Sequence, residues 1–189
     1  MQKKEKSMFE HPLSKYGPDQ LSYWVEDIDA ACEKFAKAFG AGPFIKMGPI
    51  KFQEATVHGK PADPELMIAL GMWGPIQVEF VQKLNTEPHI FDDFGYGYNH
   101  INICVDDPDQ VAKDMEAEGY PVGMWMTSSN EPIYYIDSMA KIGHCIEIHR
   151  PNATLDMCKA ATAMWDGEKA VLTIQEFQAM MAAAKAAQQ

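Results

Sequence analysis

The chain has 189 residues and a formal net charge of −11 at pH 7, with 16 Lys and Arg residues against 27 Asp and Glu residues. This acidic balance disfavours nucleic-acid binding, because a protein that neutralises phosphates needs clustered positive charge. The length allows one domain, or two small modules that share a core, to fold without a metal or disulfide. The four cysteines form no Cys-x-x-Cys pair, and neither a signal-peptide pattern nor an apolar run of membrane-spanning length occurs. We therefore expect a cytoplasmic protein with free thiols that binds neither nucleic acid nor membrane.

The first half of the chain predicts an arm, a strand, a helix and a series of short strands. Residues 1–18 are polar and contain two prolines, which indicates an N-terminal arm. Residues 20–25 alternate in polarity and predict a strand with Gln20, Ser22 and Trp24 on one face. Asp27 can cap a helix over residues 28–39, which Gly40 can end. Three short strands are then predicted at residues 44–47, 66–73 and 76–82, with a loop-rich stretch near residues 52–57.

The second half repeats this order of elements. At a separation of 80 residues Gln20 falls on His100, Ser22 on Asn102, and Asp27 on Asp107. His100 therefore opens a second strand, and Asp107 caps a second helix of about residues 108–118 that Gly119 can end. Three further strands are predicted at residues 122–126, 133–137 and 144–149.

Four polar residues lie on the polar faces of the strands that open and close the two halves. Gln20 and His100 are at the start of the opening strands, and Glu79 and Glu147 are central in the closing strands. The alternate residues of all four strands are apolar and should pack on the two helices, so the polar faces should line the concave side of the sheet. Glutamate on an interior face is costly unless it is paired or binds a metal. The pattern therefore indicates a quasi-symmetric set of four possible ligands.

The remainder of the chain predicts a C-terminal helical extension over residues 152–189. Residues 155–165 and about 174–188 are rich in Ala, Met and Gln, and Thr173 with Glu176 forms a capping-box pattern. Of the other histidines, His149 shares a face with Glu147 and could contact a substrate or a ligand residue. Among the remaining ones, His11 is interpreted as exposed, and His58, His89 and His144 as structural or exposed.

Together, the doubled module, the Gln20/His100 and Glu79/Glu147 pairs and the segment Phe39-Gly40-Ala41-Gly42-Pro43-Phe44 resemble the glyoxalase, or vicinal oxygen chelate, superfamily. The resemblance covers residues 19–151 and implies an α+β fold. It implies two tandem βαβββ modules, at about residues 19–84 and 97–151, that form a cup-shaped mixed sheet. A homodimer is also implied.

The resemblance further implies that one divalent metal ion is bound by Gln20, Glu79, His100 and Glu147. This Gln/Glu/His/Glu set is similar to that of zinc-type lactoylglutathione lyases, and the overall pattern is closest to the methylmalonyl-CoA-epimerase-like branch. One nitrogen and three oxygens suit Zn²⁺, Mn²⁺, Co²⁺, Ni²⁺ or Mg²⁺, so the ligand set does not select the metal. No arginine precedes Arg150, which disfavours glutathione as a substrate.

The function implied is that of a metal-dependent isomerase or epimerase, or a glyoxalase-type lyase, acting through a metal-stabilised enolate. Glu147, or else Glu79, would be the general base that removes a proton next to the carbonyl of a small, apolar or aromatic substrate. Residues that could line its pocket are Trp24, Trp73, Trp125, Tyr134 and His149, although the aromatic residues suit an ordinary core equally well. Two alternatives stay open: a metal-free binding protein of the same fold, and a metal-free enzyme that uses the carboxylates as acid and base.

Overall fold

A computed structural model describes residues 11–186, which form eleven strands and five α-helices. In chain order the elements are β1 (Gln20–Trp24), α1 (Ile28–Phe39), β2 (Phe44–Ile50), β3 (Glu54–Val57), β4 (Lys60–Pro61), β5 (Leu66–Trp73), β6 (Ile76–Lys83), β7 (Gly97–Cys104), α2 (Pro108–Ala117), β8 (Val122–Ser128), β9 (Glu131–Ile136), α3 (Met139–Ile142), β10 (Cys145–His149), α4 (Thr154–Ala163), β11 (Val171–Thr173) and α5 (Ile174–Ala186). No helix within residues 11–186 is long and apolar enough to cross a membrane.

The two predicted modules are confirmed by the strand order. All strands belong to one sheet in the order β11-β2-β5-β6-β1-β7-β10-β9-β8-β3-β4. The first module comprises β1, α1, β2, β5 and β6, and the second comprises β7, α2, β8, β9 and β10. Strand β3 is the exception, since it follows β2 in the chain but pairs with β8 at the far edge of the second module. The chain of the first module thus supplies a strand to the other half of the sheet.

The modules meet at the antiparallel pair β1 and β7. Gln20 pairs with Asn102, Leu21 with Ile101, and Ser22 with His100, so the register is symmetric about the Leu21–Ile101 pair. Each of these strands then pairs in parallel with the closing strand of its own module, β1 with β6 and β7 with β10. A pseudo-twofold axis therefore passes between Leu21 and Ile101 and relates the two modules.

Helices α1 and α2 each cover the convex face of their own module, as the alternation of polar and apolar residues in the strands predicts. The side chain of Asp27 accepts from the Ala30 amide and that of Asp107 from the Gln110 amide, so both predicted caps are present. The residues that pack around α1 include Ile28, Cys32, Phe44, Ala69, Val78 and Phe80. Those that pack around α2 include Ile103, Val111, Met115, Ile136, Ile146 and Ile148. The apolar residues of the strands are thereby buried on this side, which leaves the polar residues on the concave side.

The segment that links the two modules fills one end of the concave side. A 3-10 turn at Ile90–Asp93 begins at His89, whose Nδ1 accepts the Phe91 amide hydrogen. Ile90 and Phe91 are fully buried in a core that also contains Trp24 and Met126. A Cβ atom at Gly123 would lie 2.2 Å from Cδ1 of Ile90, so the absence of a side chain at Gly123 makes room for the Ile90 side chain.

The C-terminal extension packs on the concave side of the first module. Cys158 of α4 is buried with Leu70 and Met72 of β5, and Phe177 of α5 is buried with Ile45 of β2. The predicted capping box is present, because the Thr173 amide donates to Glu176 and the Glu176 amide donates to the Thr173 hydroxyl. Strand β11, which pairs in parallel with β2, was not predicted from the sequence.

Part of the predicted N-terminal arm contacts the second module. Leu13 and Tyr16 pack against the core around α2, and the exposed carboxylate of Asp106 accepts hydrogen bonds from Lys15 and Tyr16. The rest of the arm, residues 1–10, lies outside the described residues.

The tight contact between Gly123 and Ile90 predicts a coupled pair of substitutions. Gly123→Ala should lower the free energy of unfolding by about 1–3 kcal/mol, because the added methyl group overlaps the Ile90 side chain. Ile90→Val removes the overlapping Cδ1 atom, so the double variant should recover part of the loss, whereas independent sites would add. Denaturant unfolding of the four proteins measures this, and strict additivity would contradict the contact.

His89 predicts a specific dependence of stability on pH. Burial lowers the pKa of the His89 imidazole to about 3, whereas the unfolded chain takes up this proton near pH 6.5. The unfolded state therefore binds more protons between these values, and stability is lost as pH falls from 6.5 towards 3. We expect His89→Asn, which keeps a capping side chain but does not titrate, to reduce the slope of unfolding free energy against pH by up to about 1.4 kcal/mol per pH unit. Equal slopes in both proteins would show that His89 is not buried in its neutral form.

Candidate metal centre

Two rows of buried polar or thiol side chains cross the four central strands on the concave face. The strand register aligns one row of Gln77, Gln20, Asn102 and Glu147, and a second row of Glu79, Ser22, His100 and Cys145. All eight residues are buried. The pseudo-twofold axis exchanges Gln20 with His100 and Glu79 with Glu147, as the repeat in the sequence predicts.

Three of these side chains converge on one point. Nε2 of His100 lies 3.1 Å from Oε2 of Glu147 and 3.4 Å from Oε2 of Glu79. One ligand atom from each of the three residues lies within 4.8 Å of the others. Because carboxylate oxygens and an imidazole nitrogen are good ligands for divalent transition metals, the cluster could hold such an ion.

Polar neighbours orient both carboxylates. The Ser22 hydroxyl donates to Oε2 of Glu79 at 2.8 Å, and Nδ2 of Asn102 donates to Oε2 of Glu147 at 3.3 Å. Tyr135, the direct cross-strand partner of Glu147, is buried beside that carboxylate. Sequence reasoning did not assign a site role to Asn102 or Tyr135, although both lie on the polar faces of predicted strands.

The imidazole of His100 is fixed by a bulge and by two aromatic rings. Tyr23 pairs with Tyr98 and Ser22 with His100, so Asn99 is an extra residue in β7. Nδ1 of His100 donates to Oδ1 of Asn99 at 2.5 Å, which directs Nε2 towards the carboxylates. Phe91 stacks on the imidazole with a centroid separation of 5.2 Å, and Tyr135 meets it edge-on at 5.1 Å.

The charges of the cluster are strongly coupled. Burial lowers the pKa of His100, but its hydrogen bonds to Glu147 and Glu79 outweigh burial and raise that pKa above the ordinary value. Burial conversely raises the pKa of Glu147, but the hydrogen bond and positive charge of His100 outweigh this effect and lower it. These shifts favour a proton on Nε2 between the carboxylates, and a metal ion would have to displace that proton to bind.

Two observations show that the residues present fit a divalent ion. The first is that Oε1 of Gln20 is buried without a hydrogen-bond partner, while Nε2 of the same side chain donates to Gln77 at 2.7 Å. A buried carbonyl oxygen without a partner is costly and available as a ligand. The second is the spacing, because atoms that bind one ion at about 2.1 Å with tetrahedral or octahedral angles lie about 3.0–3.4 Å apart. The distances from His100 to the two carboxylates, 3.1 and 3.4 Å, match that spacing.

A pocket opens directly onto the cluster. It has a volume of about 460 Å³ and is lined by Gln20, Glu79 and Glu147 on its polar side and by Ile68, Leu70 and Ile133 on its apolar side. A smaller apolar cleft of about 140 Å³, which reaches Phe52, Met126 and Tyr135, is also lined by Glu79 and Glu147. The mouth of the larger pocket carries His149 and Arg150, and the guanidinium of Arg150 is paired with Glu131 at 3.2 Å.

The structure does not bring all five predicted pocket residues to this site. His149 lines the pocket, and Trp24 lies in the concave core, where it stacks on His89 at 4.8 Å. Trp73 is 40% exposed and contacts Phe35 and Phe39 of α1.

Trp125 and Tyr134 lie on the opposite face of the sheet from the cluster. The two residues pair across β8 and β9, and the Tyr134 hydroxyl donates to Asp109 in α2 at 2.6 Å. The expectation that Trp73, Trp125 and Tyr134 line the pocket is therefore wrong, because their strand positions face the helices. The apolar part of the wall is instead formed by aliphatic residues of β5 and β9, namely Ile68, Leu70 and Ile133.

The comparisons with known proteins give one family match. The family model described as Glyoxalase/Bleomycin resistance protein/Dioxygenase superfamily matches residues 19–135. No curated protein matches the chain.

Solved structures with a similar fold include methylmalonyl-CoA epimerase from Mycobacterium tuberculosis, with 19% identity, a TM-score of 0.45, and coverage of 74% of this chain and 91% of that one. A single-residue variant of Streptomyces coelicolor methylmalonyl-CoA epimerase in complex with 2-nitronate-propionyl-CoA has 16% identity, a TM-score of 0.43, and coverage of 72% and 97%. A hypothetical protein from Bacillus halodurans has 12% identity, a TM-score of 0.46, and coverage of 72% and 95%.

The family match extends over more than half of the chain, from the strand that carries Gln20 to the one that carries Tyr135. The paired modules and their symmetric register are the architecture that the sequence repeat implies. The chain therefore belongs to the glyoxalase/bleomycin resistance protein/dioxygenase superfamily.

Proposed function

We propose that this protein is a metal-dependent isomerase or epimerase that removes and returns a proton next to the carbonyl group of a small substrate. The observation that carries the proposal is the buried Glu79–His100–Glu147 cluster, with the partnerless oxygen of Gln20 beside it, at the base of an open pocket. Buried carboxylates of this kind need a cation, and a pocket gives a substrate access to it.

Gln20, Glu79, His100 and Glu147 would hold the ion, which fits Zn²⁺, Mn²⁺, Co²⁺, Ni²⁺ or Mg²⁺. When bound, the ion would supply Lewis-acid stabilisation of negative charge on the substrate oxygen. Glu147 is the first candidate for the general base, because it lines both the pocket and the apolar cleft. Glu79 also lines both and is the second candidate. Asn102 would hold the Glu147 carboxylate in position.

The pocket walls support a neutral or weakly acidic substrate with an apolar body. Ile68, Leu70 and Ile133 form an apolar surface, and Phe52 and Met126 extend it into the cleft. Arg150 is the only arginine of the chain, and its guanidinium is engaged by Glu131 and by the Asp106 carbonyl. This arrangement leaves little positive charge at the mouth for a highly anionic group. A homodimer and the boundaries of a 19–151 domain remain predictions from the resemblance.

Metal binding is the first test of the proposal. We expect chelator-treated protein to bind about one divalent ion per chain, and Glu79→Gln and Glu147→Gln each to weaken binding at least about 100-fold, because each removes a negatively charged ligand of similar size. Isothermal titration with Zn²⁺ and Mn²⁺ measures both affinity and stoichiometry.

Glu131→Gln is the matched control for the metal experiment, since this carboxylate lies at the pocket mouth and pairs with Arg150. Its affinity should stay within about twofold of the wild-type value, as expected of an exposed charge outside the cluster. If wild-type protein binds no divalent ion, or if all three variants bind equally well, the metal centre is wrong.

Proton exchange tests the reaction. Metal-loaded protein in heavy water should introduce deuterium at the carbon next to the carbonyl of at least one member of a panel of ketones, thioesters and hydroxyketones, followed by NMR. With saturating metal, Glu147→Gln should slow this exchange by about 10²–10⁴-fold, the usual effect of removing a general base. Glu131→Gln should not slow it.

Two outcomes would change this assignment. If deuterium exchange is slow in Glu79→Gln and unaffected in Glu147→Gln, Glu79 rather than Glu147 is the general base. Binding of panel members without any exchange would instead favour a small-molecule binding protein of the same fold.

A further inference from the structure

The side chain of Gln20 is held at one end and free at the other. Its Nε2 donates to Oε1 of Gln77 at 2.7 Å, and its Oε1 is buried without a partner. The residue is 7% exposed and lines the pocket together with Glu79 and Glu147. Which end of the amide is free therefore decides whether the residue can offer an oxygen to a cation.

The hydrogen bond to Gln77 continues into the C-terminal extension. Nε2 of Gln77 donates to Sγ of Cys158 at 3.3 Å, and Cys158 is fully buried on α4 against Leu70 and Met72. This thiol lies beyond the matched residues 19–135 and beyond the two modules. The series Cys158, Gln77 and Gln20 thus joins the extension to the polar rows of the sheet.

The series gives the Gln20 amide a direction. A primary amide has a donor end and an acceptor end of similar size, so packing alone does not distinguish them. As long as the Gln77 amide nitrogen is directed at the sulfur, its oxygen is directed at Gln20 and accepts only the nitrogen end of that side chain. If the Gln77 amide were reversed, its nitrogen would donate to Oε1 of Gln20. That oxygen would then no longer be free to bind a metal.

We propose that Cys158 and Gln77 are positioning residues that hold the Gln20 amide with its oxygen available to the metal centre. The proposal rests on the proposed function, because it assumes that a cation binds beside Glu79, His100 and Glu147. The C-terminal extension then contributes to the metal centre through a hydrogen-bond acceptor, in addition to covering the sheet.

The test compares variants of Cys158 that differ in their ability to accept a hydrogen bond. Cys158→Ala removes the acceptor, and Cys158→Ser restores one. Cobalt affinity is measured by competition with a chelator, and the visible absorption spectrum of bound Co²⁺ reports the ligand set. We expect Cys158→Ala to weaken Co²⁺ binding by about 10–100-fold, as is usual for outer hydrogen-bond partners of ligands, and to change the spectrum. Cys158→Ser should bind within about threefold of wild type and keep the wild-type spectrum.

Further variants separate this role from a general loss of packing. Gln77→Leu, which fills a similar space but neither accepts nor donates a hydrogen bond, should behave like Cys158→Ala even if the latter folds poorly. Cys32→Ala is the matched control, because Cys32 is also a fully buried thiol but lies on α1 at the convex face. It should leave both affinity and spectrum unchanged.

A double variant tests whether the effect passes through Gln20. Gln20→Met should itself weaken binding and change the spectrum, and adding Cys158→Ala to it should cause no further loss, because the two residues act through the same ligand. If the losses add, or if Cys158→Ala and Gln77→Leu bind Co²⁺ with the wild-type affinity and spectrum, the positioning role of Cys158 and Gln77 is overturned while the metal centre stands. If wild-type protein binds no Co²⁺, both proposals are overturned.

Discussion

The rest of the structure depends on the antiparallel pairing of β1 with β7 about Leu21 and Ile101. This one register brings the first strand of each module together at the centre of the sheet, with the closing strand of each module on its outer side. Four polar positions that are far apart in the chain thereby become neighbours on one face. A shift by one residue would turn His100 and Gln20 towards the helices and would bury Ile101 among carboxylates.

Burial of two carboxylates in one place sets the electrostatic requirement of the fold. Glu79 and Glu147 both lie next to the same atom, Nε2 of His100, in a part of the molecule from which water is largely excluded. Like charges this close repel strongly, so a cation is needed between them, either a proton on the imidazole or a metal ion. The donors Ser22 and Asn102 reduce the remaining cost but cannot replace that cation.

The sequence predicted those features of the fold that depend on local alternation of polar and apolar residues or on the repeat of the module. Strict alternation placed Gln20, Glu79, His100 and Glu147 on the concave face, and the 80-residue repeat indicated that they would meet in pairs. Features that depend on contacts between distant segments escaped this reasoning. Alternation does not reveal the bulge that turns Asn99 towards His100, the pairing of β3 with the second module, or the packing of Phe91 on His100.

The prediction of aromatic pocket residues was wrong for the same physical reason. Trp73, Trp125 and Tyr134 were assigned to a pocket on the strength of their residue type, although large aromatic side chains bury equally well against a helix. The face on which each lies is set by the strand register, and the register of the strands outside the central four depends on pairings that the repeat does not define.

The position of the C-terminal extension breaks the symmetry of the cup. The ligand residues obey the pseudo-twofold axis, but α4 and α5 cover the concave face of the first module and have no counterpart in the second among the described residues. The pocket at the cluster is therefore lined by Ile68 and Leu70 from the first module, but by Ile133 together with the hydroxyl groups of Ser128 and Ser129 from the second. The ligand positions are thus related by the pseudo-twofold axis, but the pocket around them is not symmetric. The protein can therefore distinguish the two faces of a planar molecule that binds there.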